Sequence, residues 1–216
     1  MTIEDAYRQI TARPAAIVYL TGKTCTGKTT FANRLAQGFG YEIIQLDHVV
    51  HDAVIQPLGL KDRGSTFVSV YKTADQPEWV QRFVDEAQRR INALLARRKK
   101  IAIDGAVPNL DVARQLLHGL PHVQTVFFHA TPNSATYIRN LTARFIDATL
   151  ENGNGLPKNF WQYIDTAAFH QFCQDKLLTP ALQTSIHAYA TYSTQNSAER
   201  LQECQRAFPH LLIAEI

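Results

Sequence analysis

The chain has 216 residues, 45% of them hydrophobic and 10% aromatic, and 22 Lys and Arg against 19 Asp and Glu leave a net charge of +3. That composition excludes intrinsic disorder, gives enough chain for one α/β domain with a sizeable core, and makes two independent domains unexpected. The small net charge argues against a general nucleic-acid binder, although a phosphate compound needs only a local basic pocket. Cys25, Cys173 and Cys204 are odd in number and lack C-x-x-C spacing, which fits a reducing cytoplasm better than a disulfide framework or a zinc site. Residues 1–13 carry Glu4 and Asp5 and do not read as a signal peptide, and no apolar run reaches the roughly 20 residues of a membrane span.

In chain order, residues 2–12 read as a polar helix and the apolar run 15–20 as a buried strand. From Gly27 a helix is predicted with Phe31, Leu35 and Phe39 on one stripe, stopped by Gly38 and Gly40, and a second strand fits 41–46. Residues 57–77 mix Gly, Pro, Ser, Thr and charge, with an alternating piece at 66–71 that reads equally as strand or loop. Trp79, Phe83, Ala87, Ile91 and Leu94 or Leu95 predict a long amphipathic helix over 78–98. Strand-like runs return at 101–103 and 123–128, with a helix through Leu110, Ala113, Leu116 and Leu117 between them, an alternation that signals a parallel sheet. Helical pattern resumes over 133–150, breaks at 151–157, continues through two further helices and ends in a short strand at 211–214.

The strongest chemical signal is Gly22-Lys23-Thr24-Cys25-Thr26-Gly27-Lys28-Thr29, a full match to G-x-x-x-x-G-K-[ST] lying between a predicted strand and a predicted helix. In that setting successive backbone N–H groups and the helix N-terminus face anionic phosphates, Lys28 holds the outer phosphates and Thr29 the magnesium ion, with Thr30 completing the segment. Lys23 and Cys25 occupy variable positions of the loop, for which no special use is expected.

The motifs and their order resemble the P-loop kinases of nucleosides, nucleotides and other small metabolites, with uridine kinase-like proteins the nearest pattern. The resemblance covers residues 17–47 well, 101–105 fairly and 123–144 loosely. It implies a three-layer P-loop NTPase fold over 1–216, with a mainly parallel five-stranded sheet in the order 2-3-1-4-5 and a helical lid around 139–159. It also implies ATP and Mg²⁺ as cofactors, and a small-molecule phosphate acceptor, nucleoside or nucleotide, as partner.

By the same resemblance Asp47 is the base that takes a proton from the acceptor hydroxyl, helix capping being its structural alternative. Asp104, ending the run Ile101-Ala-Ile-Asp104-Gly105, is the Walker B equivalent that helps hold magnesium, with Gly105 leaving room for substrate; a plain Asp-Gly turn is the alternative. Arg139 and Arg144 are the lid arginines over the transferring phosphoryl group. Five residues on a regular helix separate two side chains by about 140°, so both reach one phosphate only if the helix ends or bends near Arg144.

Weaker candidates are Lys158, the acceptor-pocket residues Lys61 and Arg63, and the His48, His51, Asp47 and Asp52 spacings that could chelate a metal. Phe160, Trp161, Tyr163 and Phe169 could stack on a base, but their spacing fits core packing better. Leu20-Thr-Gly and Asp47-x-x-x-His51 also resemble dephospho-coenzyme A kinase. An ATP-binding regulator without kinase activity is the alternative class, and the absence of [NT]-K-x-D speaks against a guanine-nucleotide switch.

Overall fold

Strand β1 (Ile17–Gly22) is the centre of a five-stranded sheet, flanked by β3 (Lys100–Asp104) and β4 (Val123–His129), with β2 (Tyr41–Gln45) and β5 (Leu212–Glu215) at the edges. Every pair of neighbouring strands is parallel, and the order β2-β3-β1-β4-β5 is the one the P-loop resemblance implies. This computed structural model describes residues 1–60, 76–107, 109–131, 134–150 and 158–216. The 66–71 piece, Lys61, Arg63 and the 151–157 break lie outside the described residues, and the Lys158 side chain is likewise not described.

The central strands alternate their side chains between two apolar layers, as a parallel sheet covered on both faces requires. Val18, Leu20, Ala102, Val126 and Phe128 face α1 (Ile3–Ala12) and α2 (Lys28–Phe39), where they meet Ala6, Ile10, Phe31 and Leu35. Ile17, Tyr19, Ile101 and Ile103 face the opposite layer of α4 (Pro77–Ala96) and α5 (Leu110–Leu117), which contribute Phe83, Ala87, Ile91 and Leu116. Between β2 and α4 come the short helix α3 (Leu46–Val50) and a π-helical turn, His51–Ile55, whose Val49, Val50 and Val54 join that layer. On α1, Thr2 and Asp5 cap each other's backbone amides, and Thr2 bridges to Glu215 along the outer edge of β5.

A third apolar cluster belongs to the C-terminal half: α6 (Ala135–Leu150), a 3₁₀ turn Lys158–Gln162, α7 (Thr166–Asp175) and the long α8 (Pro180–Ala207). Phe145 is fully buried at its centre, with ring centroids 5.6 Å from Phe160, 5.3 Å from Phe172 and 6.2 Å from Phe169. Phe160 is therefore a core residue and Phe169 packs against that core.

Strand ends shift from the sequence reading next to the carboxyl edge of the sheet. β1 runs two residues further, to Gly22, where φ is +113° and a Cβ would lie 2.3 Å from the Phe128 carbonyl oxygen, so that only glycine permits the strands to stay this close. β2 stops at Gln45 because Leu46 turns inward to begin α3. Gly105 lines the cleft, and at φ +144° its missing side chain also makes way for Leu46, whose Cβ would stand 2.9 Å from an added Cβ.

Candidate active site

The carboxyl ends of β1, β3 and β4 open into a cleft of about 890 Å³, the edge at which open α/β sheets bind ligands. The phosphate loop forms its floor. Gly22, Lys23, Thr24, Cys25, Gly27, Lys28, Thr29 and Thr30 all line the cleft, whereas Thr26 is buried and its hydroxyl donates to the Lys23 carbonyl at 2.7 Å, bracing the loop from within. The Lys28 ammonium donates to the Gly22 carbonyl at 3.2 Å and to the Lys23 carbonyl. Burial holds its pKa below the ordinary lysine range, against the opposing pull of Asp104, Cys25 and Asp47.

Those partners put the sequence-predicted residues in one place. Asp104, 6% exposed at the end of β3, lines the cleft together with Asp47, which sits in the first turn of α3 and not on the strand itself. The α3 N-cap is Gln45, so Asp47 is not a cap. Arg144 lines the opposite wall and reaches the field of both Lys28 and Cys25. Two carboxylates, an ammonium and a guanidinium thus converge beside a loop of backbone amides.

Arg139 is the exception. α6 continues without a break to Leu150, so Arg139 and Arg144 stand on different faces. Tyr137, Asn140, Arg144 and Asp147, spaced three to four apart, form the cleft face, and the exposed Arg139 does not line the cleft. The condition for both arginines to reach one phosphate is not met. The histidines disperse as well: His51 and Asp52 pair at 3.2 Å and Asp52 binds Arg90 at 2.8 Å, away from the phosphate loop, while His48 lines the cleft alone. Among the described residues no three His, Cys, Asp or Glu side chains converge into a metal-binding group.

No protein-family model matches the chain, and no curated protein matches it in sequence. Solved structures that overlay on it include a kinase-like protein from Chloroflexus aurantiacus (14% identity, 94% of this chain and 89% of that one, TM-score 0.48) and shikimate kinase from Bacteroides thetaiotaomicron (15%, 88% and 98%, 0.42). A gluconokinase from Sinorhizobium meliloti overlays with 14% identity, 87% and 97% coverage and a TM-score of 0.38. Overlays this loose carry no argument about chemistry, which rests on the site itself.

Part of that site was not foreseen from sequence. α8 lays Tyr189, Tyr192, Ser193, Asn196, Ser197 and Arg200 along the cleft, a polar stripe at offsets 0, 3, 4, 7, 8 and 11. The signal for this wall in the sequence is the periodicity of its polar residues, which an apolar pattern does not carry. Arg200 donates to the Val107 carbonyl at 3.0 Å and so ties α8 to the segment after β3. Asn140 donates to the Cys25 carbonyl at 3.1 Å, and the Lys23 ammonium donates to Ser193 Oγ at 2.6 Å. Lys23, assigned no special use from its loop position, is thus a structural link between the phosphate loop and α8.

Proposed function

We propose that this chain is an ATP-dependent small-molecule kinase, transferring the γ-phosphoryl group of ATP to a hydroxyl of a small metabolite. The observation that carries this reading is the convergence of Asp47, Asp104 and Arg144 around Lys28 on a full phosphate loop at the carboxyl edge of the sheet. The loop amides and Lys28 hold the donor's phosphates, for which Lys28 exchanges the loop carbonyls it now binds. Thr29 on the first turn of α2 and Asp104 offer a hydroxyl and a carboxylate, hard oxygen donors that fit Mg²⁺, a cation that keeps most of its shell as water and phosphate oxygen. When bound, magnesium neutralises charge on the phosphates.

Asp47 takes the acceptor hydroxyl's proton as its oxygen attacks the γ-phosphorus, ADP departs, and Arg144 stabilises the negative charge spread over the transferring group. Arg139 is left out of this step by its position on α6. The cytoplasm, where ATP and free thiols coexist, suits Cys25, Cys173 and Cys204, none of which is in a disulfide. No helix among the described residues is long and apolar enough to cross a membrane.

The acceptor favoured by the motif order is a nucleoside, and the Tyr189 and Tyr192 rings on the cleft wall would offer a base an aromatic surface. The second reading, an anionic acceptor such as a nucleotide or dephospho-coenzyme A, is favoured by the half-buried Lys23. Both are tested by incubating the protein with Mg-ATP and a panel of nucleosides, nucleotides, coenzyme precursors and sugar acids, reading phosphorylated products by mass spectrometry. Lys28→Ala should abolish the product by two orders of magnitude or more with unchanged circular dichroism. ATP turnover that no acceptor raises would defeat the kinase reading.

A further inference from the structure

The phosphate loop carries two ammonium groups with different surroundings. Lys28 feels Asp104 and Asp47, whereas at Lys23 the cause of the lowered pKa is burial. The Lys23 side chain points to α8, where its listener is a hydroxyl: Ser193 Oγ at 2.6 Å, itself 2% exposed and 3.0 Å from the hydroxyl of Tyr137, which is 1% exposed on α6. Tyr189, one turn earlier on α8, is 5% exposed and also lines this part of the cleft.

A buried ammonium is costly unless it is paired, and hydroxyl dipoles solvate it without neutralising it. An ammonium has three N–H donors, of which Ser193 accepts one. Lys23 lines the cleft, so its remaining donors are within reach of a bound molecule. Around it the wall offers the hydroxyls and amide of Tyr189, Ser193, Asn196 and Ser197, groups suited to a small polar molecule. The donor's phosphates have their own holders in the loop amides and Lys28.

We propose that Lys23 and Ser193, backed by Tyr137, form a second anion-recognition point in the cleft, which binds a phosphate monoester or carboxylate carried by the acceptor. The proposal rests on the kinase reading and narrows it: neutral nucleosides and polyols are disfavoured against their anionic counterparts. Lys23 acts here as a specificity-determining residue and takes no part in proton or phosphoryl transfer.

The test uses the full chain with ¹⁵N-labelled lysine, the Lys23 side-chain signal being assigned by its loss in Lys23→Gln. That substitution keeps the backbone carbonyl to which Lys28 is bound. With Mg-AMPPNP saturating, sodium phosphate and sodium acetate are titrated separately. The expected result is a saturable shift of the Lys23 signal, the more effective anion naming the group recognised, with affinity at least fivefold weaker in Ser193→Ala. A Lys23 signal that neither anion moves overturns the proposal and leaves Lys23 as a tether of the loop. A signal moved in full by Mg-AMPPNP, with no further response to either anion, also overturns it and assigns Lys23 to the donor. If Mg-AMPPNP leaves the Lys28 signal unmoved, the donor reading fails on its own, and the two anion titrations still decide the role of Lys23.

Discussion

Burial holds the Lys23 ammonium at about 8, well below the ordinary lysine range, so the folded protein releases its proton more readily than the unfolded chain does. Between about 8 and 10.5 the unfolded state binds more protons, and the Lys23 contribution to stability therefore rises with pH across that window. Below it the destabilisation is present in full. Removing the charge with Lys23→Met should raise the unfolding free energy at pH 7 by about 1–2 kcal/mol, the penalty of a buried ammonium less the lost bond to Ser193. That gain should shrink towards zero near pH 10.5, as urea titrations of the two proteins at several pH values would show. Burial pushes the Tyr137 hydroxyl up to about 12 and raises Tyr189 as well, so both stay neutral throughout the comparison. A loop residue that lowers stability in this way is expected to be kept for binding. The two α6 arginines make a second contrast: Arg144→Ala should cut turnover by about 10²-fold or more, whereas Arg139→Ala, off the cleft, should leave kcat and KM within twofold. Equal losses in the two variants would return Arg139 to the site.

At the scale of elements, stability and site geometry meet in the C-terminal helices. Phe145 touches Phe160, Trp161, Phe169 and Phe172, and its loss would leave a void among rings drawn from α7 and the 3₁₀ turn. Phe145→Ala should cost about 3–5 kcal/mol in urea unfolding. Because Arg144 is its neighbour in sequence, turnover should fall with it even where the variant is still folded. The same helices show what a sequence can and cannot disclose. β1, β3 and β4 were legible because runs such as Ile101-Ala-Ile are covered on both faces and so are apolar throughout, and α2 and α4 because their single buried stripe repeats at three to four residues. The phosphate loop, Asp47 and Asp104 were legible from local motifs. The wall formed by α8 was not, since Ser193 and Ser197 are buried polar residues whose partners are distant in sequence, Ser193 meeting Lys23 some 170 positions away and Ser197 meeting His129. Nor could the pattern settle which α6 arginine faces the cleft, because that depends on whether α6 bends, and bending leaves no periodic trace.

Taken whole, the described residues form three apolar clusters, one on each face of the sheet and one among the C-terminal helices, and the cleft is lined from elements that carry all three: α2, α3, and α6 with α8. A nucleotide bound there touches elements of each, so its binding energy should appear as global stability. Mg-ATP at 100 times its Kd should add about 2.7 kcal/mol and raise Tm by several degrees, and Lys28→Ala should erase that rise in a thermal-shift measurement. The junction between loop and helices has a further consequence. Cys25 adopts φ +65°, a left-handed conformation disfavoured for a residue with a side chain, while that side chain packs against the helical cluster, the Cys25 carbonyl accepts from Asn140 on α6, and Lys23 reaches α8. The loop's shape is therefore underwritten by helices distant from it in sequence. A partial opening that peeled α6 and α8 from the sheet would undo all three attachments at once, and the loop amides would lose their arrangement even with the sheet intact. Local unfolding of the C-terminal half and occupancy of the phosphate loop become mutually exclusive, so a bound nucleotide should slow proteolytic cleavage within α8, far along the chain from any residue that holds a phosphate.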